Sequence, residues 1–352
     1  MSPHRFASTC LAAALALTIG AAAAREPWPV ENKLLGKPRK DGSGAKKSTD
    51  VSGIACARAS GFPRVCVIAD DEAQGVQIVR VEDGRIIAGD VVRLIHDTHD
   101  GKPLELDAEG VAYADGFFYV VGSHGRPRHE RGEDKDKNDA RAAATRHLFR
   151  LRFDPGAVDA DGKLTGAVDI RDSTVLPGLL RAHREIAPAF DARVEGEGLT
   201  IEGVAVRGGQ LSVGLRAPLL NGSRAAVLSA PLDVLFADEA GTGRLHSLDL
   251  GRDGRGKARG VRDLVAYGDG FLVIAGPVLD PESDAVMDAD YTVFAWDGRD
   301  GARSLGDLKS YGTKVKPEAL LPLSVEGDRL RVLVLFDGPD EGGPRTVELA
   351  RP

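Results

Sequence analysis

From residue 52 onward, short apolar runs alternate with turns rich in glycine and aspartate, and one unit recurs. It begins with a small or charged residue, usually followed by glycine, and continues as an apolar run. A turn and a second apolar run follow. The first runs start at Ser52-Gly53-Ile54-Ala55, Glu109-Gly110-Val111-Ala112, Glu202-Gly203-Val204-Ala205, Arg262-Asp263-Leu264-Val265 and Glu318-Ala319-Leu320-Leu321. The second runs end in Ile68-Ala69-Asp70-Asp71, Val121-Gly122-Ser123-His124, Val213-Gly214-Leu215-Arg216, Ile274-Ala275-Gly276-Pro277 and Leu335-Phe336-Asp337-Gly338. Short apolar runs bounded by glycine-containing turns predict strands in antiparallel hairpins.

A third, amphipathic run and usually a fourth follow each pair, as in Gly75–Val81 and Arg85–Leu94, or His147–Phe153 and Leu164–Val175. Each unit therefore reads as a four-stranded meander whose inner two strands are the most apolar. Such a sheet cannot bury both faces alone, so the units must pack on one another around an axis. The fold class is all-β: a single β-propeller of four-stranded antiparallel blades. Five blades are counted, with six as the alternative. A sixth would have to lie before Glu202, where Leu176–Val194 reads as helical. The last unit is one strand short, and Trp28–Leu35 is expected to pair with it and close the ring, removing exposed edges.

Asp107-Ala108-Glu109-Gly110, Val121-Gly122-Ser123-His124, Ile201-Glu202-Gly203-Val204, Gly214-Leu215-Arg216-Ala217-Pro218 and Ile274-Ala275-Gly276-Pro277 carry a resemblance. They resemble an exported bacterial family, the domain-of-unknown-function family three-six-one-six. In outline it is similar to phytase-associated, esterase-like propellers. The resemblance spans nearly all of the chain after residue 24. It implies a propeller and brings no activity. Arg262-Asp263 departs from the Glu-Gly form.

Composition adds a compartment. His4 and Arg5 precede an unbroken small and apolar stretch, Cys10–Ala24, which ends in four alanines. This reads as a signal peptide, residues 1–24, too short to span a bilayer. There is no twin arginine, so the general secretory route to the periplasm or medium is expected. Residues 25–352 then form one domain with no membrane span, expected to be a monomer. The net charge of −7 excludes a basic nucleic-acid-binding face. Cys56 and Cys66 fall in adjacent strands, and a disulfide and two buried thiols are both open readings.

Antiparallel alternation places the start of each first run and the end of each second run at one mouth of the channel. Ser52, Glu109, Glu202, Arg262 and Glu318 should form a ring there. Asp70, Asp71, Ser123, His124, Arg216 and Asp337 should lie just outside it. Two insertions, about 125–146 and 177–198, leave from the same face, where binding usually resides. Glutamates gathered on one axis need a counter-charge, and oxygen-rich rings suit Ca²⁺ or another divalent cation. Glu109, Glu202 and Glu318 are therefore the candidate metal ligands. The same glutamates could instead accept backbone N–H groups and brace neighbouring blades. Asp134–Asp139 mimics the opening of a calcium loop but lacks its glycine, and reads as a charged, solvated loop.

Three functions fit: a propeller binding a small ligand or cation on the insertion face, a metal-assisted hydrolase of phosphoesters, esters or lactones, or a structural envelope protein with an envelope partner. In the hydrolase, Ser123 and His124 would take part in the chemistry, His124 moving protons, and Arg216 would clamp an anion. His124 can equally be a loop histidine bonded to backbone. For export, N-terminal sequencing of the secreted chain should start near Arg25. A mature chain that retains Leu11–Ala24 would overturn it.

Overall fold

The computed structural model describes residues 26–39, 43–127, 134–237, 239–280, 283–299 and 301–352. The expected signal peptide and its cleavage point lie outside these residues. No helix among the described residues is long and apolar enough to cross a membrane.

Five antiparallel sheets follow one another along the chain, each running outward from its first strand. The innermost strands are Val51–Cys56, Ala108–Ala114, Thr200–Arg207, Arg259–Tyr267 and Lys316–Glu326. Each touches the next, and the last touches the first, so they form a closed ring. The second to fourth blades have four strands and the last has three. The buried apolar side chains fall into five clusters, one for each blade-to-blade interface. This is how sheets that are apolar on both faces become covered: every face packs on a neighbouring blade. The chain is thus a five-bladed propeller, and the long interval before Glu202 is not a sixth blade. It holds a helix, Leu176–Arg181, and two short 3₁₀ turns.

Closure uses the N-terminal segment differently from the expected pairing. Val30–Glu31 runs parallel to Arg85–Arg93 on the outer edge of the first blade, with Val30 opposite Ile86. It meets the last blade through a bond from Trp28 N–H to Pro344 O, 2.7 Å. Pro27 and Pro29 have no N–H to give to a ladder, which suits this stretch to an edge. Its side chains serve closure instead. Trp28 and Leu34 enter the cluster formed by Val51, Ile68, Ala319 and Leu333 of the first and last blades. Buried Arg64 completes the seam by donating to the carbonyls of Pro322 and Leu323 at 2.7 and 2.8 Å. Cys56 and Cys66 sit opposite each other in the first hairpin and form a disulfide.

The 125–146 insertion is not wholly a loop. Lys135–Ala144 is a helix, with Asp134 as its N-cap accepting from Lys137 N–H at 3.0 Å. Its second half, Ala140-Arg141-Ala142-Ala143-Ala144, consists of strong helix formers, which outweigh the charge of the opening residues.

The ring is tight at one level. A Cβ on Gly203 would lie 2.5 Å from Leu264 N, and one on Gly110 would lie 2.9 Å from Val204 N. Glycine is needed there because backbone meets backbone. In the fourth blade Asp263 takes this place and uses its length. Its carboxylate accepts from Leu264 N–H and from Leu320 N–H of the last blade, both at 2.7 Å.

Two predictions follow from these contacts. Gly203→Ala should cost about 1–3 kcal/mol by overpacking, whereas Gly178→Ala, on an exposed helical position with open space around it, should gain about 0.4–1 kcal/mol. Equal effects in chemical denaturation would remove the close-approach argument. Burial drives the Asp263 carboxyl up to about 8, against the downward pull of its two N–H donors. A carboxyl raised in the folded state stabilises most when neutral, and that contribution fades as pH rises through the folded value. The stability lost on Asp263→Asn should therefore shrink from about pH 4, where the unfolded carboxyl ionises, to about pH 8, and level off above that. A loss that is constant across this range would show that Asp263 stays ionised.

Candidate functional site

In all five blades the register of the first two strands slips by one residue at the same place. Val51 pairs with Asp70 and Gly53 with Ala69, leaving Ser52 as the extra residue. The same slip leaves out Glu109, Glu202, Arg262 and Glu318. A bulge of this kind re-aims one side chain out of the alternating pattern. Arg216 is a further extra residue, on the second strand of the third blade, between Leu215 and Ala217.

The bulged residues do different things. Ser52 donates its hydroxyl to the Ala108 carbonyl of the next blade and acts as a brace. Arg262, 2% exposed, makes a two-pronged contact with Glu318, Nε to Oε2 being 3.1 Å and Nη2 meeting Oε1. Its Nε also stands 3.7 Å from Glu202 Oε2. Arg216 Nη1 lies 3.1 Å from Glu202 Oε1, within ion-pair distance but not aligned as a hydrogen bond. Two of the three expected metal ligands, Glu202 and Glu318, are thus drawn onto arginines. Backbone bracing by a carboxylate, considered above for the glutamates, is carried out by Asp263.

Glu109 has no hydrogen bond or ion pair among the described residues and belongs to a different group. One carboxylate oxygen each from Asp71, Asp107 and Glu109 all lie within 4.8 Å of one another. A chain of backbone bonds between blades sets this up. Asp71 N–H donates to Asp50 O at 3.0 Å, Asp107 N–H to Asp71 O at 3.1 Å, Ser123 N–H to Asp107 O at 2.8 Å, and Ile201 N–H to Ser123 O at 2.8 Å. Asp107 adopts the left-handed region, φ 55°, which aspartate tolerates better than most residues. Burial, then the nearby charges of Glu202, Asp107 and Asp71, push the Glu109 carboxyl well above the usual range. Burial and Asp107 push Asp71 up as well, and Asp107 is raised to about 6, chiefly by burial. Asp71 Oδ1 is buried and has no hydrogen-bond partner among the described residues.

The remaining expected site residues divide. Ser123 donates its hydroxyl to Asp107 Oδ2 and accepts from Gly125 N–H at 3.1 Å, so it orients the acid cluster. His124 is fully buried. Its Nδ1–H donates to Gly122 O at 2.9 Å, which leaves Nε2 with the lone pair, buried and without a hydrogen-bond partner among the described residues. Burial pushes its pKa down to about 4, with Arg146 and His147 adding to the fall and Asp172 opposing it. Asp70 is bonded by Ser48 at 2.5 Å, and Asp337 pairs with Lys316 at 3.0 Å. The members of the acid cluster that were not among the expected metal ligands are Asp71 and Asp107. Their signal is an aspartate directly after a second strand or directly before a first one, which marks the same mouth as the glutamates.

The fold is similar to several solved structures. An exo-β-1,3-galactanase from Clostridium thermocellum is 12% identical with a TM-score of 0.40, over 92% of this chain and 62% of that one, less than two thirds of its length. An α-L-arabinofuranosidase from Podospora anserina is 9% identical with a TM-score of 0.41, over 92% and 96%. An endo-arabinanase from Bacillus licheniformis is 10% identical with a TM-score of 0.33, over 86% and 94%. Likenesses this distant carry no argument about activity. No curated protein matches the sequence. The family described as "Protein of unknown function (DUF3616)" matches residues 55–154 and 165–346, and the chain belongs to it.

Proposed function

We propose that this is an exported binding propeller that holds a hard divalent cation of the Ca²⁺ type, and with it a small ligand, at the mouth of its channel. The observation that carries the reading is the meeting of Asp71, Asp107 and Glu109 oxygens within 4.8 Å. Ligand oxygens at roughly 2.3–2.6 Å from one Ca²⁺ stand up to about 5 Å apart, so one ion can touch all three. The three carboxyls resist ionisation without a counter-charge, and a cation would remove that penalty. Glu202 and Glu318 stay on Arg262 in this reading, and Glu109 is the ring glutamate that binds. Ser123 serves by holding Asp107 in place. A role for Ser123 or His124 in hydrolysis has less support, because the serine hydroxyl is already committed to Asp107 and the histidine is enclosed.

Glu109→Gln is the discriminating variant, since this side chain has no partner to lose. In metal-free protein it should leave stability unchanged or raise it, because a half-buried carboxyl repelled by its neighbours is replaced by a neutral amide. Ca²⁺ at 100 times its Kd should stabilise the wild-type chain by about 2.7 kcal/mol, and this gain should vanish in the variant. Melting curves with Ca²⁺ and with chelator measure both. An unchanged Ca²⁺ response in Glu109→Gln, or none in the wild type, would end the reading.

A further inference from the structure

Beside the acid cluster lies a second set of polar groups that the protein leaves partly unsatisfied. Glu202 is 2% exposed, and its Oε1 forms no hydrogen bond despite Arg216 Nη1 at 3.1 Å. Arg216 Nε is buried and has no hydrogen-bond partner among the described residues. The same holds for Nη1 of Arg262, a side chain whose other nitrogens face Glu318 and Glu202. Buried donors and acceptors are normally paired, so a concentration of unpaired ones marks a place where an external group belongs. Glu202 and Glu109 are the bulged residues of neighbouring innermost strands, and Ile201 N–H, next to Glu202, donates to the carbonyl of Ser123, whose own N–H donates to Asp107 O, both at 2.8 Å. The two sets therefore belong to one mouth.

The unsatisfied groups are of both kinds, N–H donors on Arg216 and Arg262 and an acceptor on Glu202. An oxyanion would satisfy the donors alone. It would also meet a surface where the five acids Asp71, Asp107, Glu109, Glu202 and Glu318 outweigh the positive charge of Arg216 and Arg262 even with a divalent cation bound. A hydroxyl both accepts and donates, so it can receive an arginine N–H and give its own proton to Glu202. Neighbouring hydroxyl oxygens are also hard, neutral ligands of the kind that completes Ca²⁺ coordination beyond three carboxylates.

We infer that the ligand of this mouth is a neutral polyol of carbohydrate type, with one hydroxyl held between Arg216 and Glu202 and an adjacent oxygen on the cation. The inference rests on the cation reading above. Arg216 is then a hydroxyl-recognising residue rather than an anion clamp.

The test uses the full mature chain and saturation-transfer NMR with methyl α-mannopyranoside and methyl α-galactopyranoside, which present vicinal diols, and with benzoate as the anion. In Ca²⁺, at least one glycoside should bind and benzoate should not, and chelator should abolish the signal. Arg216→Met keeps the side-chain stem and should weaken glycoside binding about tenfold or more, while the Ca²⁺-induced rise in Tm persists. Should that variant not fold, the chelator and benzoate arms on wild-type protein decide alone. A normal Ca²⁺ response with no signal from either glycoside, or with benzoate binding instead, overturns the polyol inference and leaves the cation reading standing. Glycoside binding that is undiminished in chelator and lost in Arg216→Met overturns the cation reading and supports the hydroxyl subsite.

Discussion

Five innermost strands ring an axis, and at one level three of them come so close to their neighbours that a side chain would have no room. That crowding sets the rest of the mouth. Gly53, Gly110 and Gly203 let backbone approach backbone, and each directly follows a bulged residue. The pairing has a mechanical reason. The strand has to turn one side chain into the channel and then lie flat against its neighbour, so a re-aimed polar residue precedes a residue without a side chain. Where Asp263 replaces glycine, the side chain bridges the gap and bonds the last blade's backbone. One spacing constraint thus builds both the ring of functional side chains and the scaffold that holds it.

Charge is then distributed unevenly around that ring. Arg262 lies between Glu202 and Glu318 from the two flanking blades, and all three are shielded from water. Buried ions of this kind contribute little net stability, but removing one partner of such a group costs about 3–5 kcal/mol, because it strands the other charge. The arrangement fixes Glu202 and Glu318 in place. Glu109 lies beyond this compensation and is left with Asp71 and Asp107. One side of the mouth is electrically closed, and the other gathers three acids that form no ion pair among the described residues. Five similar bulges therefore give one asymmetric site.

Much of the ring could be read from the sequence, because the bulge leaves a local mark. Glu-Gly before an apolar run recurs at Glu109 and Glu202, and Ser52, Arg262 and Glu318 are recognisable as its variants. The acid cluster was harder to see. Asp71 and Asp107 flank strands of different blades, and their meeting depends on backbone bonds between loops and on the left-handed turn at Asp107. No periodicity records such bonds. The division of the glutamates was equally hidden, since the sequence shows three similar residues and not which ones an arginine from another blade will reach. The Lys135–Ala144 helix escaped notice because its surface carries no apolar stripe. Its buried positions, Asn138, Ala142 and Ala144, are small or polar.

The two insertions support the site from outside rather than supplying it. They leave from the end of the blades where the acids gather, and they contact each other. Val194 N–H donates to Arg126 O at 3.3 Å, Arg126 pairs with Asp139 at 2.8 Å, and Arg146 lies over the Phe190 ring while pairing with Asp191 at 2.7 Å. Leu179, Leu180, Ile186 and Phe190 join the cluster between the second and third blades. His124, Gly125 and Thr145 are fastened beneath this layer, and Gly125 N–H in turn holds Ser123 against Asp107. Packing energy gathered in the insertions thus reaches the acid cluster through one serine hydroxyl. Groups held by locked neighbours keep their geometry, so the fold itself, through Ser123, sets the position of Asp107 in the acid cluster.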